Sequence, residues 1–346
     1  MKDIDIKKSL REIVYREEND NHIDYIDLAK GICILMVVSY HCDYGDFLYS
    51  NDIVNSFFFS FRMPLYFFLS GIFISFKYGY RNFFKKKINR LIIPFIFFYF
   101  TSSVVNEFIT PREVPSMFEF LLTETKNNFW NTPIWFLISL FTTYCMYMTI
   151  HKFISKNIYL ILILSIIIGI GGFSLSYKSI NIPFFLDTSM TCFPFVVFGG
   201  IMRNKYHLLD NISKIRCVVF SSISFFFVFL FCNGNQLFYE NKYDCNLIEL
   251  YLCGFFGSVG LVYFSKILNY VPIINYIGRY SIIVLGFHKI FILRPILLRI
   301  TDLPISIVVL LSLLLSVICC IIMIYICRRY LPSMVAQKDL LFKSDL

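Results

Sequence analysis

Long apolar runs separated by short polar breaks dominate this chain, and the length of the runs decides what they are. A membrane-crossing helix needs about 20 mostly apolar residues. Ten runs reach that length, at 25–43, 54–76, 89–107, 133–151, 157–174, 183–202, 215–233, 247–268, 277–298 and 304–327. None alternates apolar and polar positions in the way a transmembrane barrel strand does. The pattern predicts an all-α protein, a polytopic transmembrane helical bundle of about ten helices.

Composition removes the competing classes. Of 346 residues, 57% are hydrophobic and 16% charged, with a mean hydropathy of +0.66. A soluble domain carries about 25% charged and roughly 45–50% apolar residues. Disorder and a secreted disulfide scaffold are excluded too. The 11 cysteines are odd in number and form no CxxC pair, and Cys33, Cys192, Cys319 and Cys320 lie inside apolar runs, as buried thiols do.

The net charge of +9 belongs to the loops. With the N-terminus placed inside and each loop or tail counted together with the adjoining run ends, 23 of the 32 Lys and Arg residues fall on the inner side and 7 on the outer, while Lys30 and Arg62 lie deeper within runs. Basic residues concentrate on the cytoplasmic side of membrane proteins. Both termini are therefore expected there, in a multi-pass protein of the cell (inner) membrane, with no basic patch left over for nucleic acid. The first 24 residues mix both charge signs, so no cleavable signal peptide is expected. The expected organisation is a polar cytoplasmic tail at 1–21, one transmembrane domain at 22–328 and a cytoplasmic tail at 329–346. The longest outer connection, 108–132, holds Glu113, Glu119, Glu124 and Trp130. It reads equally as a carbohydrate-binding loop or as an interfacial helix anchored by aromatics.

Ionisable groups at membrane depth are costly and mark functional sites by default. The first run holds Asp27, Lys30 and His41. Eleven residues separate Lys30 from His41, about 1100° at about 100° per residue, so both lie on one helix face roughly 16 Å apart along the axis. Asp27, one turn before Lys30, can pair with it. An imidazole suits removal of a proton from a hydroxyl near neutral pH, and Lys30 suits an anionic ligand arriving from the cytoplasm. Lys30 snorkelling to the interface and an interfacial His41 are the competing structural readings. The second run places Arg62 about two turns from its outer end, too deep to snorkel unaided. Pro64 beside it interrupts the helical hydrogen-bond ladder. His288 lies in the ninth run, and packing or function both account for a single histidine there. Glu107, Asp187 and Glu249, near outer run ends, are open as partners for His41 or Arg62. No HExxH, GxSxG or Walker-type loop is present, and the five histidines do not cluster at metal-ligand spacing, so no metal site is expected.

Five segments resemble one family in order. Tyr25-Ile-Asp27-Leu-Ala-Lys30-Gly31 through His41 resembles the first-span signature of acyltransferase family 3, the membrane-bound O-acyltransferases: a basic residue, ten residues, then histidine. Phe59-Ser-Phe-Arg62-Met63-Pro64-Leu65 through Ser70-Gly71 resembles the second-span motif, and Lys85 through Pro94 the basic segment of the third span. Asn131-Thr-Pro133-Ile-Trp135 and Gly278-Arg-Tyr-Ser281 through His288 resemble later motifs. Two departures stand out: Lys30 replaces the commoner Arg, losing its bidentate fork, and Arg62 stands where many relatives carry His.

The resemblance implies transfer of an acyl group, usually acetyl, from cytoplasmic acyl-CoA to a sugar hydroxyl of a cell-surface glycan or its lipid-linked precursor. Acetyl-CoA is then a co-substrate and no cofactor is permanently bound. His41 becomes the general base or a transient acyl carrier, and Arg62 the stabiliser of developing negative charge. Lys30 and Asp27 would serve coenzyme A, with His288, Ser70 and Trp135 in support. The alternative from another class is a transporter or flippase of a glycan or lipid-linked precursor, which also explains intramembrane charge.

Overall fold

The computed structural model describes residues 23–109, 115–122, 129–154, 157–203 and 211–341. The expected tail at 1–21, much of the connection 108–132, and the C-terminal tail beyond 341 lie outside these residues. The described chain is helical apart from one tiny hairpin. In order it runs α1 (Asp24–Asp43), α2 (Asp52–Ile72), α3 (Gly79–Lys87), a π-helical turn (Ile88–Ile92), α4 (Ile93–Ile109), α5 (Met117–Leu122), α6 (Trp135–Ile154), α7 (Ile158–Tyr177), α8 (Leu186–Met202), α9 (Lys214–Phe231), β1 (Gln236–Leu237), β2 (Lys242–Tyr243), α10 (Leu247–Leu268), α11 (Pro272–Arg279), α12 (Ser281–Phe287), α13 (Arg294–Ile300) and α14 (Ile305–Tyr330). Ten helices or joined helical runs among them are long and apolar enough to cross a membrane. They coincide with the ten apolar runs, and the protein is a polytopic transmembrane bundle.

Two spans differ from the straight rods that hydropathy suggests. The third begins ten residues early, because α3 continues through a π-turn into α4. The ninth is broken: α12 passes into a 3-10 turn, His288–Phe291, and α13 starts afresh at Arg294. Pro295 supplies the reason, since it has no N–H for the carbonyl four residues back. That carbonyl belongs to Phe291, and Ser316 Oγ on α14 donates to it at 2.6 Å. The break places His288 and Lys289 on an irregular segment inside the bundle.

The starts of α2, α7, α9 and α10 are capped by side chains. Asn51 accepts from the N–H groups of Ile53 and Val54 at the head of α2, and Asn246 with Glu249 forms a capping box on α10. Close packing rests on small residues, as membrane helices require. Gly71 of α2 meets Gly199 of α8, where a Cβ on either would overlap a backbone carbonyl, of Val196 or of Phe68. Gly31 of α1 and Gly278 of α11 make an equally tight crossing against the carbonyls of Ile274 and Asp27. These contacts bury α1 at the centre, while α7 and α9 turn Ile163, Ile167, Phe226 and Phe229 outward.

The segment after α1 is clasped. The buried Asp43 carboxylate accepts from the N–H groups of Gly45, Phe47, Leu48 and Tyr49 at 2.9–3.2 Å. Arg294 donates to the Asp43 carbonyl and pairs with Asp46. The last turn of α1, with His41, is thereby tied to the head of α13.

Candidate active site

Two cavities lie along α1, one towards each end. The cavity at the His41 end has a volume of about 300 Å³ and is lined by Tyr40, His41, Arg62, Trp135, Tyr239 and Lys289 among others. The cavity at the Lys30 end, of about 350 Å³, is lined by Lys30, Tyr66, Ser70, Arg90, Arg279 and Gln337 among others. Val37, Met63 and Leu285 line both. These three apolar side chains form the neck that separates the two chambers, Val37 from the α1 face shared by Lys30 and His41, Met63 from α2 and Leu285 from α12.

At the His41 end, Arg62 is 9% exposed. Its guanidinium lies 3.6 Å from the centre of the Phe59 ring and 4.7 Å from that of Tyr40, an orientation that cation–π attraction favours. Its Nη1 is buried without a hydrogen-bond partner among the described residues. α2 runs through Pro64 as continuous helix. The Cys33 thiol of α1 donates to the Arg62 carbonyl at 2.8 Å, fixing α2 against α1 at this depth.

His41 stands 5.3 Å, ring centre to ring centre, from His288. The fully buried His288 places Nδ1 3.0 Å from the carbonyl oxygens of Val284 and Leu285. A carbonyl only accepts, so Nδ1 carries the proton and Nε2 is left as a bare acceptor. That Nε2 and His41 Nδ1 have no hydrogen-bond partner among the described residues. Two of the acids open to pairing with His41 or Arg62 are placed elsewhere. Glu107 is exposed, and Glu249 caps α10. The neighbour of His41 is a second imidazole, not a carboxylate.

Trp135 follows the turn at Asn131. Asn131 Nδ2 donates to Ser102 Oγ at 2.6 Å and to the Gly286 carbonyl at 2.9 Å, which holds Thr132, Pro133 and Trp135 in the wall. Opposite, the β1–β2 hairpin supplies Gln236, Leu237, Phe238 and Tyr239. It is pinned by Thr188 Oγ1 donating to the Phe238 carbonyl at 2.8 Å and by Asn241 Nδ2 donating to the Gly172 carbonyl at 3.0 Å. Burial, reinforced by Glu240, raises the Tyr239 phenol above its ordinary range, so it remains a hydrogen-bond donor.

At the other end, Asp27 carries two cations rather than one. Lys30 Nζ lies 3.4 Å from Oδ1 and Arg279 Nε 3.6 Å from Oδ2. Tyr66 donates to the Lys30 carbonyl at 2.9 Å. Ser70 belongs to this chamber and not to the His41 end. Arg90 on the π-turn donates to the Ala336 carbonyl, so residues from the segment after α14 form part of the wall.

The geometry therefore brings His41, Arg62, Trp135 and the neighbouring His288 together, and separates them from Asp27, Lys30 and Ser70. Lys289, Tyr239 and Arg279 join the two groups without having been singled out by sequence. Lys289 and Arg279 each carried a usable signal, a charge inside the ninth apolar run, Lys289 immediately after His288 and Arg279 within the quoted motif.

No group of three or more His, Cys, Asp or Glu side chains able to hold a metal occurs among the described residues. Comparison with curated proteins and with solved structures gave no match. A family model described as "Acyltransferase domain", that of acyltransferase family 3, matches residues 23–326, nearly the whole chain. It favours acyl transfer over transport as the reading of the intramembrane charges. The chain belongs to acyltransferase family 3 and is a multi-pass membrane acyltransferase.

Proposed function

We propose that the protein moves an acyl group, acetyl in the simplest case, from acyl-CoA at the Lys30 end to a sugar hydroxyl at the His41 end. The acceptor is a cell-surface glycan or its lipid-linked precursor. The observation that carries the reading is the pair of chambers that share Val37, Met63 and Leu285 in their walls, with cations at one end and an imidazole at the other. Positive-side charge bias makes the Lys30 end cytoplasmic, in the cell's inner membrane.

In this reading Lys30, Arg90 and Arg279 attract the coenzyme A phosphates, and the extended pantetheine arm follows α1 through the neck. The roughly 16 Å between Lys30 and His41 suits that arm. His41 takes the proton from the acceptor hydroxyl, whose oxygen attacks the thioester carbon. Arg62 stabilises the oxyanion that forms. The carbon–sulfur bond then breaks, and His41 returns the proton to the departing thiolate. His288 offers its bare Nε2 beside His41 and steadies the protonated ring, while Trp135 shapes the acceptor wall.

The test is mass spectrometry of surface glycans from cells carrying the intact gene, a deletion, or His41→Ala at matched membrane abundance. Loss of one acyl mass in both altered strains is the expected result, and its mass names the acyl group. Wild-type acylation with His41→Ala removes the role given to that residue. Unchanged acylation in the deletion removes the reading altogether.

A further inference from the structure

The chamber at the His41 end is one-sided in charge. Arg62 and Lys289 both line it, and no Asp or Glu does. No carboxylate pairs with either cation among the described residues, and Lys289 lies 5.8 Å from the Tyr44 ring centre. Acids on the bordering segments are committed elsewhere. Asp43 is consumed by four backbone N–H groups, Asp46 pairs with Arg294, and Glu240 pairs with Lys242 at 2.6 Å. Asp52 is exposed in the first turn of α2, about 10 Å along the axis from Phe59. The nine-tenths buried Arg62 keeps an unpartnered Nη1.

Acyl transfer from a neutral thioester to a neutral hydroxyl develops one negative charge, on one oxygen. Arg62 answers that charge, which leaves Lys289 without an assignment. An uncompensated cation within a membrane-spanning segment is costly unless a ligand completes it. We propose that the chamber is built for an acceptor that carries its own negative charge, a carboxylate or phosphate on the sugar, with Lys289 as its counter-charge. The inference rests on the acyl-transfer reading and names the class of acceptor.

The geometry explains how such a group would direct the reaction. An anion held at Lys289 fixes one end of the sugar ring, and the hydroxyl presented to His41 is then set by the distance between them. A positive chamber also concentrates anions over neutral sugars. Lys289 adjoins His288, so the anchoring charge and one imidazole of the pair share one irregular segment.

Trp135 reports on the chamber directly. In full-length protein in uncharged detergent with Trp130→Phe, Trp135 is the sole tryptophan, and its quenching by iodide is compared with that by neutral acrylamide. Iodide quenching is expected to fall at least threefold in Lys289→Met and to persist in Lys289→Arg, with acrylamide quenching unchanged. In parallel, acetyl transfer from acetyl-CoA is compared for methyl glucuronide, methyl glucoside 6-phosphate and neutral methyl glucoside. A preference of tenfold or more for an anionic acceptor, erased by Lys289→Met, supports the proposal, and the better anion identifies carboxylate or phosphate. Equal use of the neutral acceptor, or iodide quenching indifferent to Lys289→Met, overturns it. Iodide enrichment with no transfer to any glycoside and no acetyl-CoA consumption instead counts against the acyl-transfer reading and leaves the anion site standing.

Discussion

Replacing Val37 with tryptophan tests the passage of the donor without touching any ionisable group. Val37 is 5% exposed and lines both chambers, so a bulkier side chain there fills the neck through which the pantetheine arm is proposed to run. Overpacking a tight site costs about 1–3 kcal/mol, which a bundle of ten spans tolerates. The catalytic cost is larger in effect. Misplacing a reacting group by about 1 Å costs about 100-fold in rate, and a blocked arm holds the thioester several ångströms short of His41. Transfer from acetyl-CoA by Val37→Trp in vesicles should therefore fall at least about 100-fold, equivalent to about 2.7 kcal/mol of barrier. Transfer from p-nitrophenyl acetate, which needs no arm and reaches His41 from its own side, should survive. Val37→Ala, which widens the neck, should keep both activities. Wild-type use of acetyl-CoA by Val37→Trp at equal abundance would show that the donor does not pass between the chambers, and the proposed route would be lost.

Other perturbations separate the remaining roles. Arg62→Met should lower turnover about 100- to 1000-fold, the range for loss of an oxyanion donor, and Arg62→Lys should recover part of it; equal rates for Met and Arg would dismiss the role. Lys30→Met should raise the KM for acetyl-CoA several-fold with little change in kcat, and a pure kcat effect would place Lys30 in the chemistry instead. Gly71→Val drives a side chain into the Val196 carbonyl. It should lower the melting temperature of the solubilised protein markedly, at or above the upper end of the ~1–3 kcal/mol overpacking range; an unchanged melting curve would mean that α2 and α8 cross elsewhere.

The spans were legible because hydropathy over about 20 residues reports directly on the solvent a helix faces. The break in the ninth span was less so. Pro295 announces it, but the hydroxyl that satisfies the freed Phe291 carbonyl comes from Ser316, on the next span. The face shared by Lys30 and His41 followed from helical periodicity alone. Their neighbours did not, because contacts between spans depend on helix order and rotation, which one sequence does not encode locally. Asp27 was expected to serve Lys30 and serves Arg279 as well. For Arg62 an acid near an outer run end was open as partner, and the guanidinium instead stacks on Phe59 and Tyr40. The hairpin carrying Tyr239 left no pattern, since two residues per strand are too few to show alternation.

The neck bears on the membrane as well as on the reaction. Two chambers placed towards opposite ends of one membrane-spanning helix amount to much of a channel, and a continuous water column would short-circuit the ion gradients of the cell. Val37, Met63 and Leu285 offer water nothing to bond to, and apolar constrictions of this kind empty themselves of liquid. The same three side chains can part around a slender flexible thioester arm, which fills the space it opens. On the proposed route, a chemical group would cross the bilayer while the protein stays electrically sealed. Polar substitutions at the neck should therefore show first as proton leak in energised vesicles, before any effect on transfer is measured.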